Sequence, residues 1–213
     1  AYAVTTPLLT KADGTKFGKS EQGNIWLDPK LTSAYRFYQF WINSDDADVP
    51  KFMKFFSLKS LDEIQSIHDQ YEEDMQTYKR ILAEEMTIRV HSRSDFESVL
   101  KVSEILFNKN ATAEQLNQLS LAELNTITQE IPAFKVAKDS LAGGLNVLEL
   151  LAEKTNIGQS KSDARRALSG NAISLNKVKF TDAQAAIGNT MLLKDRFMMV
   201  ENGKKNKYML AFV

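Results

Sequence analysis

The chain has 213 residues, 43% of them hydrophobic and 25% charged, a length and balance that suit one or two soluble domains. No run approaches the ~18 apolar residues of a membrane span, which excludes a helical membrane protein. The absence of cysteine excludes disulfides, a thiol nucleophile and cysteine-ligated zinc, and a net charge of zero excludes a uniformly basic nucleic-acid binder.

Residues 1–6 lack the basic region and apolar run of a signal peptide. Since the first residue is not Met, the chain is expected to begin inside a longer protein. Residues 2–10 read as a short strand. Residues 11–24 are a polar loop made permissive by Gly14, Gly18 and Gly23.

Helical signals follow. Thr32 or Ser33 can cap a helix bearing Tyr35, Phe37, Tyr38, Phe40, Trp41 and Ile42. Asp45 or Asp46 can cap the next, with Pro50 early in it and Phe52, Met53, Phe55 and Phe56 along it. Ser60 and Glu63 form a capping box ahead of Ile64, Ile67 and Tyr71. Residues 75–91 carry Tyr78, Ile81, Leu82, Met86 and Val90 at helical spacing. Ser94 or Asp95 is expected to start a helix reaching Phe107, and Thr112 with Gln115 and Ser120 with Glu123 mark two more starts. Residues 30–131 therefore read as an all-helical domain.

Pro132 and the Gly143-Gly144 pair make residues 132–144 a linker, with mobility expected between its two sides. Residues 145–155 read as a short amphipathic helix. Residues 160–168 read as a second, stopped by Gly170-Asn171. Residues 172–175 follow as a strand. Residues 196–200 and 207–212 read as a hairpin across the Asn202-Gly203 turn. The fold class is thus α+β, a helical domain followed by a small α/β module over residues 145–213.

Charge divides between these parts. Residues 145–213 hold eleven Lys and Arg against six Asp and Glu, a local +5, which leaves −5 for the rest. A basic module on a neutral chain is the footprint of a phosphate-binding surface. Lys161, Arg165 and Arg166 fall near one face of their helix, and Lys177, Lys179, Lys204, Lys205 and Lys207 could extend it.

Other features read as structural. His68 and His91 are ordinary helix residues, the aromatic run from Tyr35 to Trp41 is packing, and Asp45-Asp46-Ala47-Asp48 is a solvated helix start. No metal site is expected.

The loop Lys16-Phe17-Gly18-Lys19-Ser20 places two lysines three apart on a glycine turn, a pattern that can neutralise phosphate. It is not a Walker loop, because Asp13 stands where the first glycine belongs and residues 21–24 make a poor helix start. Together with the preceding residues 7–15, the following Ile25-Trp26-Leu27-Asp28-Pro29 and the stretch from Tyr35 to Asn43, it resembles the bacterial tyrosyl-tRNA synthetases. In that family this segment carries the class I KMSKS signature. The resemblance runs over the whole chain in domain order and is strongest over residues 4–57. It implies that residues 1–29 end a catalytic domain, and that Lys16 and Lys19 stabilise the transition state of tyrosine adenylation. It also implies that Lys19, Lys16, Gly18 and Ser20 contact ATP, which would be bound with magnesium in the full-length enzyme and not by this fragment.

The family's His-Ile-Gly-His signature is missing. His68 is followed by Asp69-Gln70 and His91 by Ser92-Arg93, so the fragment alone is expected to be inactive in adenylation. Residues 160–176 resemble the RNA-binding module shared with ribosomal small-subunit protein four, although Lys177 stands where that pattern has glycine. The resemblance implies that residues 30–131 help recognise the anticodon region and that residues 145–213 contact the variable arm of tyrosine tRNA. The expectation is a cytoplasmic fragment that binds tRNA(Tyr), monomeric although full-length relatives are homodimers. A stand-alone RNA-binding or ribosome-associated protein is the alternative, and the lysine loop argues against it.

Overall fold

The structure, a computed structural model, describes residues 2–5, 8–18 and 24–213. It divides into two compact units, Ala1–Val99 and Leu100–Val213.

The first unit is built from helices α1 (Ala34–Ile42), α2 (Val49–Phe56), α3 (Leu61–Tyr71), α4 (Met75–Val90) and the start of α5 (Arg93–Phe107). Local chemistry fixes their ends. Ser33 accepts from the Arg36 N–H, Ser60 and Glu63 complete the capping box, and Asp74 accepts from Thr77. The cap of α5 is Ser92, which accepts from the Asp95 N–H at 3.0 Å, rather than the expected Ser94 or Asp95. Tyr35, Phe37, Tyr38 and Trp41 of α1 are buried with Phe52 and Met53 of α2 and Tyr78, Leu82 and Met86 of α4. The aromatic run is therefore core. Lys79, buried on α4, pairs with Asp46, which ties the acidic helix start to the core.

The second unit takes the end of α5, then α6 (Ala113–Gln118) and α7 (Leu121–Glu130), each opened by a capping box. Strand β1 (Ala133–Val136), α8 (Asp139–Ala142) and α9 (Val147–Glu149) follow, α9 widening into a π-type turn over Leu150–Lys154. Helix α10 (Lys161–Ser169) leads to strands β2 (Ile173–Leu175), β3 (Val178–Lys179), β4 (Phe197–Asn202) and β5 (Asn206–Phe212). The sheet order is β1-β5-β4-β2-β3, with β1 parallel to β5 and the other pairs antiparallel. Met198, Val200, Leu210 and Phe212 face a core shared with Leu148, Leu151, Ala164 and Leu168. The alternate residues Phe197, Met199, Met209 and Ala211 are buried on the opposite face, where α7 packs against β5.

Three expectations change. Residues 132–144 are not a linker, because Ala133–Val136 pairs with Met209–Phe212 and so forms part of the sheet. The division between units falls inside α5 rather than after residue 131, because α6, α7 and the end of α5 cluster with the sheet. Residues 2–5, 8 and 9 form no strand. Only Thr10 bridges, to Lys16, and Tyr2 and Val4 lie open to solvent with no neighbouring strand to pair them.

Candidate nucleic-acid interface

Helix α10 presents the basic face. Ser160 caps it by accepting from the Asp163 N–H at 3.1 Å. Ala164 and Leu168 anchor its inner side in the core. The approach is close because residue 158 is glycine: a Cβ there would lie 2.8 Å from the Ala164 Cβ. With the inner side fixed, Lys161, Arg165 and Arg166 are exposed.

These cations differ in their company. Lys161 pairs with Glu153, which raises the lysine pKa and lowers that of the carboxyl. Arg166 lies 3.3 Å from Asp163 on the same helix. Arg165 has no ion pair among the described residues, leaving its guanidinium open to a phosphate.

Sequence-distant cations converge at the end of α10. Lys179 donates from Nζ to the Asn171 carbonyl at 2.8 Å. The Gly203 N–H donates to the Ala172 carbonyl, also at 2.8 Å, bringing the β4–β5 turn with exposed Lys204 and Lys205 against the residues that follow the helix. Gly203 sits at φ +72°, a conformation that suits glycine.

Lys177 and Lys207 correct the expectation, because both turn inward. Lys177 Nζ donates to the Ile105 carbonyl at 3.1 Å and to Glu201 Oε1 at 2.8 Å, and only 5% of its side chain is exposed. Lys207 Nζ donates to the Ile105 and Leu106 carbonyls and lies 3.6 Å from Glu201. The two ammonium groups satisfy carbonyls at the end of α5, where the helix dipole favours cations. Burial and the neighbouring Lys177 pull the Lys207 pKa down. One signal in the sequence could have found this: the Asn202-Gly203 hairpin sets Lys207 opposite Glu201.

The missing glycine is also explained. Asn176 and Lys177 sit at φ +47° and +70°, the left-handed pair of a tight hairpin turn. The Asn176 side chain donates to the Met191 carbonyl at 2.7 Å and accepts from the Met199 N–H at 2.9 Å. Side-chain bonds on both residues hold a turn that glycine would otherwise ease.

The lysine loop lies in the first unit. A bridge between Thr10 and Lys16 closes it, and the Lys11 N–H donates to the Thr15 carbonyl at 2.8 Å. Asp13 accepts from the Thr15 hydroxyl and N–H, bonds that hold its carboxyl pKa below the usual value. Lys16 is exposed, and Gly18 has φ +82° with open space around it. Lys19 and Ser20 lie outside the described residues. Among the described residues, no group of three or more His, Asp or Glu could hold a metal ion, and no helix is long and apolar enough to cross a membrane.

Residues 1–108 match the family described as tRNA synthetases class I (W and Y), and the chain belongs to that family. Residues 123–211 match the family described as tyrosine–tRNA ligase SYY-like C-terminal domain, which specifies the tyrosine branch. Among curated proteins, the tyrosine–tRNA ligase of Porphyromonas gingivalis strain W83 is 43% identical over 212 residues, 99% of this chain and 49% of its own length. That of Cytophaga hutchinsonii is 44% identical over 216 residues, 100% of this chain and 50% of its own. The chain spans about half the length of the curated relatives it matches. A solved, C-terminally truncated mitochondrial tyrosyl-tRNA synthetase of Coccidioides posadasii aligns over 46% of this chain and 26% of its own, with 30% identity and a TM-score of 0.39.

Proposed function

We propose that these residues are the tRNA-binding portion of a tyrosine–tRNA ligase, and that the second unit grips the phosphate backbone of tRNA(Tyr). The observation carrying this reading is the convergence of Lys179 and the Lys204–Lys205 turn on the end of α10, beside the exposed Arg165 and Arg166. Six outward cations, Lys161, Arg165, Arg166, Lys179, Lys204 and Lys205, form the surface. Lys177 and Lys207 are left out of it because their ammonium groups are engaged inside the unit. Contacts of this kind position an RNA by shape and charge, without reading its bases.

In the same reading, the parent enzyme activates tyrosine with ATP and transfers it to tRNA(Tyr), and the lysine loop assists the first step. Exposed Lys16 and the open backbone at Gly18 fit a polyphosphate, and Lys19 and Ser20 would complete the loop. ATP, when bound with magnesium, supplies the adenylyl group and the pyrophosphate leaving group. Lys16 and Lys19 would stabilise the charge that gathers on that leaving group. These 213 residues contain no His-Ile-Gly-His signature, and we infer that they do not adenylate tyrosine alone. A monomeric fragment and a cytoplasmic setting belong to the same proposal, with light scattering the check on the first.

The deciding experiment titrates the protein into labelled tyrosine tRNA and into a tRNA with a short variable arm, at two salt concentrations. Salt-sensitive binding that prefers the tyrosine tRNA supports the reading. Equal binding to both reduces it to a generic basic module, and no binding to either overturns it for these residues alone.

A further inference from the structure

The ring of Phe17 has four aromatic neighbours. Its centroid lies 4.9 Å from Phe52, 4.9 Å from Phe56, 5.7 Å from Phe40 and 5.9 Å from Trp41. Two of these belong to α1 and two to α2, so a single loop side chain fills the junction between both helices. A second tie reaches the base of the loop, where Lys51 of α2 donates from Nζ to the Thr10 carbonyl. The Phe17 N–H donates to the Leu9 carbonyl at 3.0 Å, closing the stem beside the Thr10–Lys16 bridge.

So small a hairpin has no stability of its own in water and holds its shape only against a partner. Extended backbone sends neighbouring side chains to opposite sides. Seating Phe17 on the helices therefore turns Lys16 outward, and Lys16 is exposed. We propose that Phe17 and Lys51 are positioning residues that dock the lysine loop on α1 and α2 and thereby fix the direction of Lys16. The docking stands on the contacts alone; its consequence for phosphate rests on the function proposed above. Helices α1 and α2 then act as the loop's platform, and a shift in either is transmitted to Lys16.

Native-state hydrogen exchange tests the docking, read at the hydrogen-bonded amides of Phe17 and Lys11 and, as a control, at Leu82 in α4. In Phe17→Ala the loop amides are expected to exchange about tenfold faster or more, with Leu82 unchanged. Phe17→Leu restores most of the protection, because an apolar side chain again fills the nest. Lys51→Met speeds the loop amides by about threefold, as loss of one charged hydrogen bond would. Unchanged loop protection in Phe17→Ala overturns the docking. If that variant loosens Leu82 as well, Lys51→Met decides, because it leaves the nest intact, and unchanged loop protection there overturns the docking too. Titration with inorganic tripolyphosphate, followed at the Lys16 amide, tests the consequence. Weaker binding in Phe17→Ala, restored in Phe17→Leu, supports positioning, and equal binding despite lost protection overturns it. A wild-type protein that ignores tripolyphosphate removes the phosphate reading of the loop, and the exchange pattern still decides the docking.

Discussion

Replacing Arg165 and Arg166 together by Ala removes two of the six outward cations of the second unit and leaves the helix core of Ala164 and Leu168 untouched. Each phosphate neutralised by a protein cation contributes about −0.9 to the slope of log affinity against log salt. Six cations give a slope of about −5, so that raising salt from about 50 to 200 mM weakens binding roughly 10³-fold. The double variant should fall to a slope of about −3.6, a loss of nearly two contacts. Lys207→Met should leave the slope at its wild-type value, because its ammonium is engaged by the Ile105 and Leu106 carbonyls. Fluorescence anisotropy of labelled tyrosine tRNA over a salt series measures all three proteins. An unchanged slope in the double variant refutes the assignment of α10 as the contact face. A shallower slope in Lys207→Met refutes the inward placement of that lysine.

Gly158→Ala should destabilise the second unit by about 1–3 kcal/mol, because the new methyl meets the Ala164 Cβ at 2.8 Å and its Cα at 3.1 Å and α10 must shift; the urea midpoint measures it. Asn176→Ala should cost about 2–4 kcal/mol, since it strands the Met199 N–H and the Met191 carbonyl and puts Ala at φ +47°. Asn176→Gly should recover about 1 kcal/mol of that, the share due to backbone conformation alone. The depressed Lys207 pKa means that the unfolded chain holds this proton at pH values where the folded chain has released it. Stability should therefore gain as pH rises through the range just below the ordinary lysine pKa, and a pH series of urea melts should lose this gain in Lys207→Met.

Local signals were the legible part of this chain. Ser60 with Glu63, Thr112 with Gln115 and Ser120 with Glu123 name helix starts because a cap acts within four residues. The Asn202-Gly203 turn names its hairpin for the same reason. Strand β1 was not legible. It is four residues long, too short to show a period, it follows Pro132, and its parallel partner lies at the far end of the chain. The candidate interface divides in the same way. Ser160 and the exposed arginines of α10 can be read from their own helix, whereas the fate of Lys177 and Lys207 depends on carbonyls of α5, about 70 and 100 positions earlier. Charge counting treats every lysine as solvent-facing, and it overstates the outward basic surface by these two. Phe17 was read as part of a polar loop, and only the packed helices reveal its aromatic neighbours.

The position of β5 bears on how the second unit is made. It is the last of the five strands in the chain but stands between β1 and β4 in the sheet. During synthesis, β1 emerges from the ribosome early and has no neighbour until residues 206–212 follow, because the register joins Ala133 to Met209 and Val136 to Phe212. A nascent chain stalled before residue 206 can form α10 and β2, but the sheet lacks its bridging strand and the apolar side chains of β1 and β4 stay uncovered. Closure of the unit, and with it the seating of the Lys204–Lys205 turn beside α10, is thus a late, nearly post-translational event.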